Sequence, residues 1–148
     1  MNSSSAFLLG VLVAGGVVAL AGGIAVVQQV QEIRVENLRQ PTLDELVEFL
    51  ASDHTELMKV SINSAGWGCV DFAITLRSNA MLAGYDFDVV LLNFEEGIGH
   101  ALNGVRLASG QYVWVEPQTD EIVKPVGVGE TYALFGENYT VSYVGVVD

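Results

Sequence analysis

Positive charge is scarce in this chain and cysteine almost absent. Six Lys plus Arg stand against eighteen Asp plus Glu, a net charge of -12, and Cys69 is the single cysteine. One thiol forms no internal disulfide, so the fold must hold by packing and any role for the sulfur is reactive or metal-binding. With only two histidines, His54 and His100, and no CxxC or HxxxH spacing, a structural zinc site lacks its signature, and no metal or cofactor is expected. The anionic balance repels phosphate backbones and anionic headgroups, which disfavours nucleic acid as a partner. Lysine is confined to Lys59 and Lys124, a composition that ordinary acidic domains share with salt-adapted ones. A length of 148 residues suits one domain, and neither repeats nor low-complexity stretches are visible.

What the chain does have is one long apolar run. Residues 6 to 27, AFLLGVLVAGGVVALAGGIAVV, carry no charge and no side-chain amide. At about 1.5 Å per residue, such a run crosses a hydrocarbon layer about 30 Å thick. Ala19-Leu20-Ala21 would also suit signal cleavage, but the leader MNSSS (1 to 5) lacks a basic n-region, so an uncleaved anchor is expected. Gly15, Ala19 and Gly23 stack small side chains on one face, a candidate surface for homo-oligomers. Arg34 and Arg39 come after the run and no cation precedes it, which inclines the remainder to the cytoplasmic side without fixing it. Residues 28 to 41 read as a helical stalk with Val30, Ile33 and Leu38 as a loose stripe, ended by Pro41.

The domain proper is expected over 42 to 148. Thr42 and Glu45 form a capping box ahead of Leu43, Leu46, Val47 and Leu50, which predicts a short core-packing helix ending near Ser52. Residues 53 to 66 read as an approach loop holding His54, with a short strand where Met58, Val60 and Ile62 alternate. Phe72, Ala73, Leu76 and Ala80 share one helical face over 69 to 83, stopped at Gly84. Five short alternating or apolar runs come next, at 87–94, 100–107, 111–117, 131–135 and 139–147, with Ser109-Gly110 as a hairpin turn. A helix ahead of an antiparallel sheet makes the class α+β. Trp67, Trp114, Tyr85 and Tyr112 are expected in the core, and Asn138-Tyr139-Thr140 fits a glycosylation acceptor if the domain faces outward.

Position gives Cys69 its interest. In the first turn of a helix, a thiol meets unpaired N–H groups and the positive end of the dipole, which favours thiolate. A thiolate nucleophile needs a base, and the base a third group that orients it. His100 begins one expected strand and Glu116 ends the next, at similar distances from the turn, with an even spacing that keeps both on one face. The Cys69 N–H is the first candidate oxyanion donor; Trp67 Nε1, Asn63 and Ser64 are alternatives for the second. Asp71 reads as a first-turn acid that stabilises the helix end, and Asp120 is the fallback orienter should Glu116 point away.

The runs GCVDFA, LRSNAMLAGYDFDVV and GHALNGVRLASGQYVWVEP resemble the transglutaminase-like superfamily of papain-like cysteine enzymes. That family carries a Cys-x-Asp-Phe-Ala helix start, a His-Ala-Trp-Asn-like strand and an Asp-Pro ending the next strand. The resemblance spans roughly residues 42 to 125 and implies Cys69 as nucleophile, His100 as base and Glu116 in the slot of the usual Asp. Glu in place of Asp asks for a strand slightly farther from His100, and Leu102 stands where Trp is frequent. EPQTDEIVKPVGVGETY is also similar to transglutaminase-like proteins of archaea and their viruses. Together with the apolar run, the resemblance implies a membrane-anchored hydrolase of an amide or peptide substrate, acting through a thioester. Acyl transfer to an amine is the variant of that chemistry, and a non-catalytic scaffold of a membrane or envelope is the rival class.

Overall fold

A computed structural model describes residues 37–58 and 68–148, which belong to one unit, Asn37–Asp148. The anchor at 6–27, with Gly15, Ala19 and Gly23, and the stalk up to residue 36 lie outside the described residues. So do Asn63, Ser64, Trp67 and most of the expected strand around Val60. Among the described residues no helix is long and apolar enough to cross a membrane.

The architecture is α+β. Helix α1 (Leu43–Ser52) starts at the expected capping box: Glu45 N–H donates to Thr42 Oγ1 and Thr42 N–H donates back to Glu45 Oε2. A 3-10 turn, Thr55–Leu57, occupies the approach loop. Helix α2 (Cys69–Leu82) ends at Gly84, whose positive φ suits the left-handed residue that closes a helix. Six strands complete the chain: β1 (Phe87–Phe94), β2 (Gly99–Arg106), β3 (Tyr112–Glu116), β4 (Glu121–Val123), β5 (Thr131–Leu134) and β6 (Glu137–Val147). Every pairing is antiparallel and the spatial order is β4-β3-β2-β1-β6-β5.

Alternation divides the sheet into two buried surfaces. Phe87, Val105, Val113 and Val115 face α1 and α2 and pack with Leu46, Leu50, Leu76 and Ala80. Val90, Leu92, Phe94, Leu102 and Trp114 point the other way and are closed over by Tyr132 and Leu134 of β5 with Val141 of β6. Curling brings β5, the far edge of the sheet, against β3. Trp114 is buried as expected, and Tyr85 and Tyr112 pack partly buried against the two clusters.

Three small features locate α2. Ala73 and Ala101 are fully buried against each other's elements with Val89, so the helix approaches the sheet closely one turn after Cys69. Asn103, fully buried on β2, donates from Nδ2 to the carbonyls of Ala73 at 2.8 Å and Asp88 at 3.1 Å. At the other end, Arg39 forms a short parallel bridge with Tyr85, its N–H donating to Gly84 O at 3.0 Å and its carbonyl accepting from Asp86 at 3.1 Å. Residues 38 to 41, expected to close a helical stalk, therefore run along the domain and are not helical. Backbone bonds to the α2–β1 connection replace those a helix would make.

Candidate active site

Gly68 caps α2 in an extended conformation, and its N–H donates to Asp71 Oδ2 at 2.8 Å. Asp71 thus does what a first-turn acid is expected to do and takes no part in the cluster beyond. Cys69 is the first helical residue and part-exposed. Its sulfur lies within hydrogen-bonding reach of the His100 side chain and of the Val70 and Ala101 N–H groups. The close packing at Ala73 and Ala101 is what sets the helix start against the start of β2.

His100 is buried, 5% exposed, and its Nε2 lies 2.6 Å from Glu116 Oε2, on a carboxylate that is also 5% exposed. Glu116 accepts from Nε2–H, which leaves Nδ1 as the nitrogen facing the sulfur. The register of β2 with β3 pairs Asn103 with Val115 and Gly104 with Trp114, so Glu116 continues opposite Leu102, diagonal to His100 on the same face. The hairpin centres on Ser109, nine residues after His100 and seven before Glu116, hence the two-residue offset. Glutamate's extra methylene helps its carboxylate span that offset to reach His100 at 2.6 Å.

Electrostatics derive from this line of groups. Burial alone would suppress charge on His100, yet the sulfur on one side and the carboxylate on the other raise its pKa from 6.5 to about 9. The Cys69 thiol moves down from its ordinary value, chiefly because His100 hydrogen-bonds it, against the opposing effect of burial. Each shift favours the charged form of its own group, thiolate for Cys69 and imidazolium for His100.

Two further residues complete the site, neither singled out by sequence reasoning. Tyr132 on β5 is buried, and its hydroxyl donates to Glu116 Oε2 at 3.4 Å while its ring lies 6.1 Å from the His100 ring. Burial first, then the adjacent Glu116 charge, raises its pKa and keeps it a phenol that donates. Phe135, in the turn after β5, sets its ring edge-on to the imidazole at 6.2 Å and 74°. The alternation of Tyr132 and Leu134 is a signal for inward-facing side chains, but the partner they meet depends on the curl of the sheet.

Asp120 is elsewhere. It occupies the turn after Glu116 with φ 60, its N–H donating to Glu116 O at 2.8 Å, and its carboxyl faces Glu56, Asp53 and His54. Burial first, then Glu56 and Asp53, raise its pKa to about 6. His100 is oriented by Glu116, so the fallback role does not arise; His54, expected in a loop without a partner, has Asp120 as a charged neighbour. No protein-family model matches this chain, and no curated protein matches it.

Proposed function

We propose that this chain is a cysteine-dependent hydrolase of amide or peptide bonds, of the transglutaminase-like kind, tethered by its N-terminal segment. One observation carries the reading. A part-exposed sulfur at a helix start neighbours a buried imidazole, and a buried carboxylate holds that imidazole at 2.6 Å.

The chemistry has two halves. In the first, the Cys69 thiolate adds to the substrate carbonyl carbon, forming a C–S bond and an oxyanion that the helix-start N–H of Cys69 is placed to receive. The His100 imidazolium gives its proton to the leaving nitrogen, the C–N bond breaks, and a thioester remains on Cys69. In the second, neutral His100 takes a proton from water, the hydroxide adds to the thioester carbonyl, and the thiolate leaves as the acid product forms. Glu116 holds the ring in one orientation and stabilises its charge, and Tyr132 supports the carboxylate. Entry of an amine in place of water would transfer the acyl group.

The test uses the full-length protein and an activated p-nitrophenyl ester. The expected result is a burst of nitrophenolate matching the protein concentration and one acyl group on Cys69 by peptide mass mapping. Cys69→Ser abolishes the adduct and His100→Ala slows its formation by about 10²-fold or more. An adduct spread over other side chains, or acylation of Cys69 indifferent to His100, would overturn the proposal.

A further inference from the structure

Phe135 and Gly136 form the two-residue loop between β5 and β6, with φ of 51 and 87. Two positive φ values are what a type I′ hairpin turn requires, and Asn, Asp or Gly normally fill its first position. Phenylalanine is a costly choice there, because its Cβ crowds the backbone in the left-handed region. The residue nevertheless stays largely in solvent, 68% exposed. Strained residues of this kind concentrate at ligand clamps and active sites, and this ring sits edge-on to His100.

Two more exposed apolar side chains belong to the segments that carry the site. Val70, 45% exposed, comes directly after Cys69, and Ile98, 43% exposed, precedes His100 by two residues. Singly, exposed apolar residues are ordinary; here one of the three contacts the imidazole and the other two are within two residues of Cys69 and His100 in the chain. A net charge of -12 disfavours acidic ligands, and the exposed apolar side chains suit an apolar occupant.

We infer that Phe135 is a specificity-determining residue, the aromatic wall of a subsite that takes a bulky apolar side chain next to the bond under attack. This rests on the hydrolase reading above. The substrate class is therefore peptides or acyl amides with an aromatic or large aliphatic group flanking the scissile carbonyl.

Two peptidyl chloromethyl ketones that differ only in Phe or Gly beside the electrophile test this on the full-length protein, with iodoacetamide as a probe that has no side chain to place. The wild type is expected to alkylate at least about tenfold faster with the Phe probe. Phe135→Asn, which suits the left-handed turn but lacks the ring, brings the Phe-to-Gly probe ratio, taken within each variant, near one; Phe135→Tyr keeps the preference. Equal rates for both probes in the wild type, or a preference that survives Phe135→Asn, overturn the inference. If the iodoacetamide reaction is indifferent to His100, the hydrolase reading fails instead, and a ring-dependent ratio in that case still assigns the apolar subsite.

Discussion

Replacing Glu116 by Gln removes one charge and keeps the side chain's size and an acceptor for His100. A carboxylate within hydrogen-bonding reach raises the pKa of a partner imidazole by about 1–3. His100, now raised to about 9, falls accordingly, and its grip on the thiolate weakens. For each unit by which the Cys69 midpoint rises, the thiolate fraction on the acid side of both midpoints drops about tenfold, while each thiolate becomes about 2.5- to 3-fold more nucleophilic, from a Brønsted slope of about 0.4–0.5. The net expectation is a loss of about 3- to 4-fold per unit in the iodoacetamide rate at the acid end, reversing to a gain of about 2.5- to 3-fold per unit at pH 10, where both thiols are ionised. The assay is the alkylation rate of Cys69 between pH 5 and 10, with circular dichroism to show that both proteins are folded. A wild-type midpoint at or above about 8.5, the value for free cysteine, or profiles that superimpose, would refute the reasoning that Glu116 acts on the sulfur through the ring.

Two other perturbations are as direct. Asp120 has a folded pKa raised from 3.8 to about 6, so the native state holds the extra proton between those values and stability falls as pH rises through that window. Asp120→Asn, compatible with φ 60, is expected to remove that fall and to stabilise at pH 7 by on the order of 1 kcal/mol after screening by solvent. Chemical denaturation at pH 4 and pH 7 measures it, and unchanged pH dependence counts against the carboxyl cluster as its source. Asn103→Ala breaks the buried hydrogen bond to Ala73 O that fastens α2 to the sheet and a second, part-buried, to Asp88 O of β1, and is expected to cost about 2–3 kcal/mol by urea unfolding; a loss well under 1 kcal/mol would contradict that fastening.

Much of the fold is legible in residue order because the elements obey simple periods. Thr42 and Glu45 mark the start of α1, Gly84 the end of α2, and the apolar run from Val89 to Leu92 the central strand. The even spacing of His100 and Glu116 also places them on one face. Their diagonal offset escapes prediction, since it depends on where the hairpin centres by one residue. Strand β4 has three residues, too few for a period to register. Phe135 reads in sequence as the last residue of a strand, because Phe-Gly lacks the Asn-Gly or Asp-Gly signature of its turn. Tyr132 meets Glu116 only because the sheet curls until its edge touches β3, a property of the assembled sheet that no local pattern encodes.

The bridge from Arg39 to Tyr85 has a mechanical meaning. Arg39 also clasps Glu45 through both guanidinium nitrogens, at 2.8 and 2.6 Å, and lies 4.9 Å over the Tyr85 ring. The leading strand of chain is thus riveted beside the C-terminal end of α2, while the sulfur sits at the other end, about 20 Å away along 14 residues of helix. A pull on Asn37 loads the rivet first, and the reactive pole of the helix stays slack.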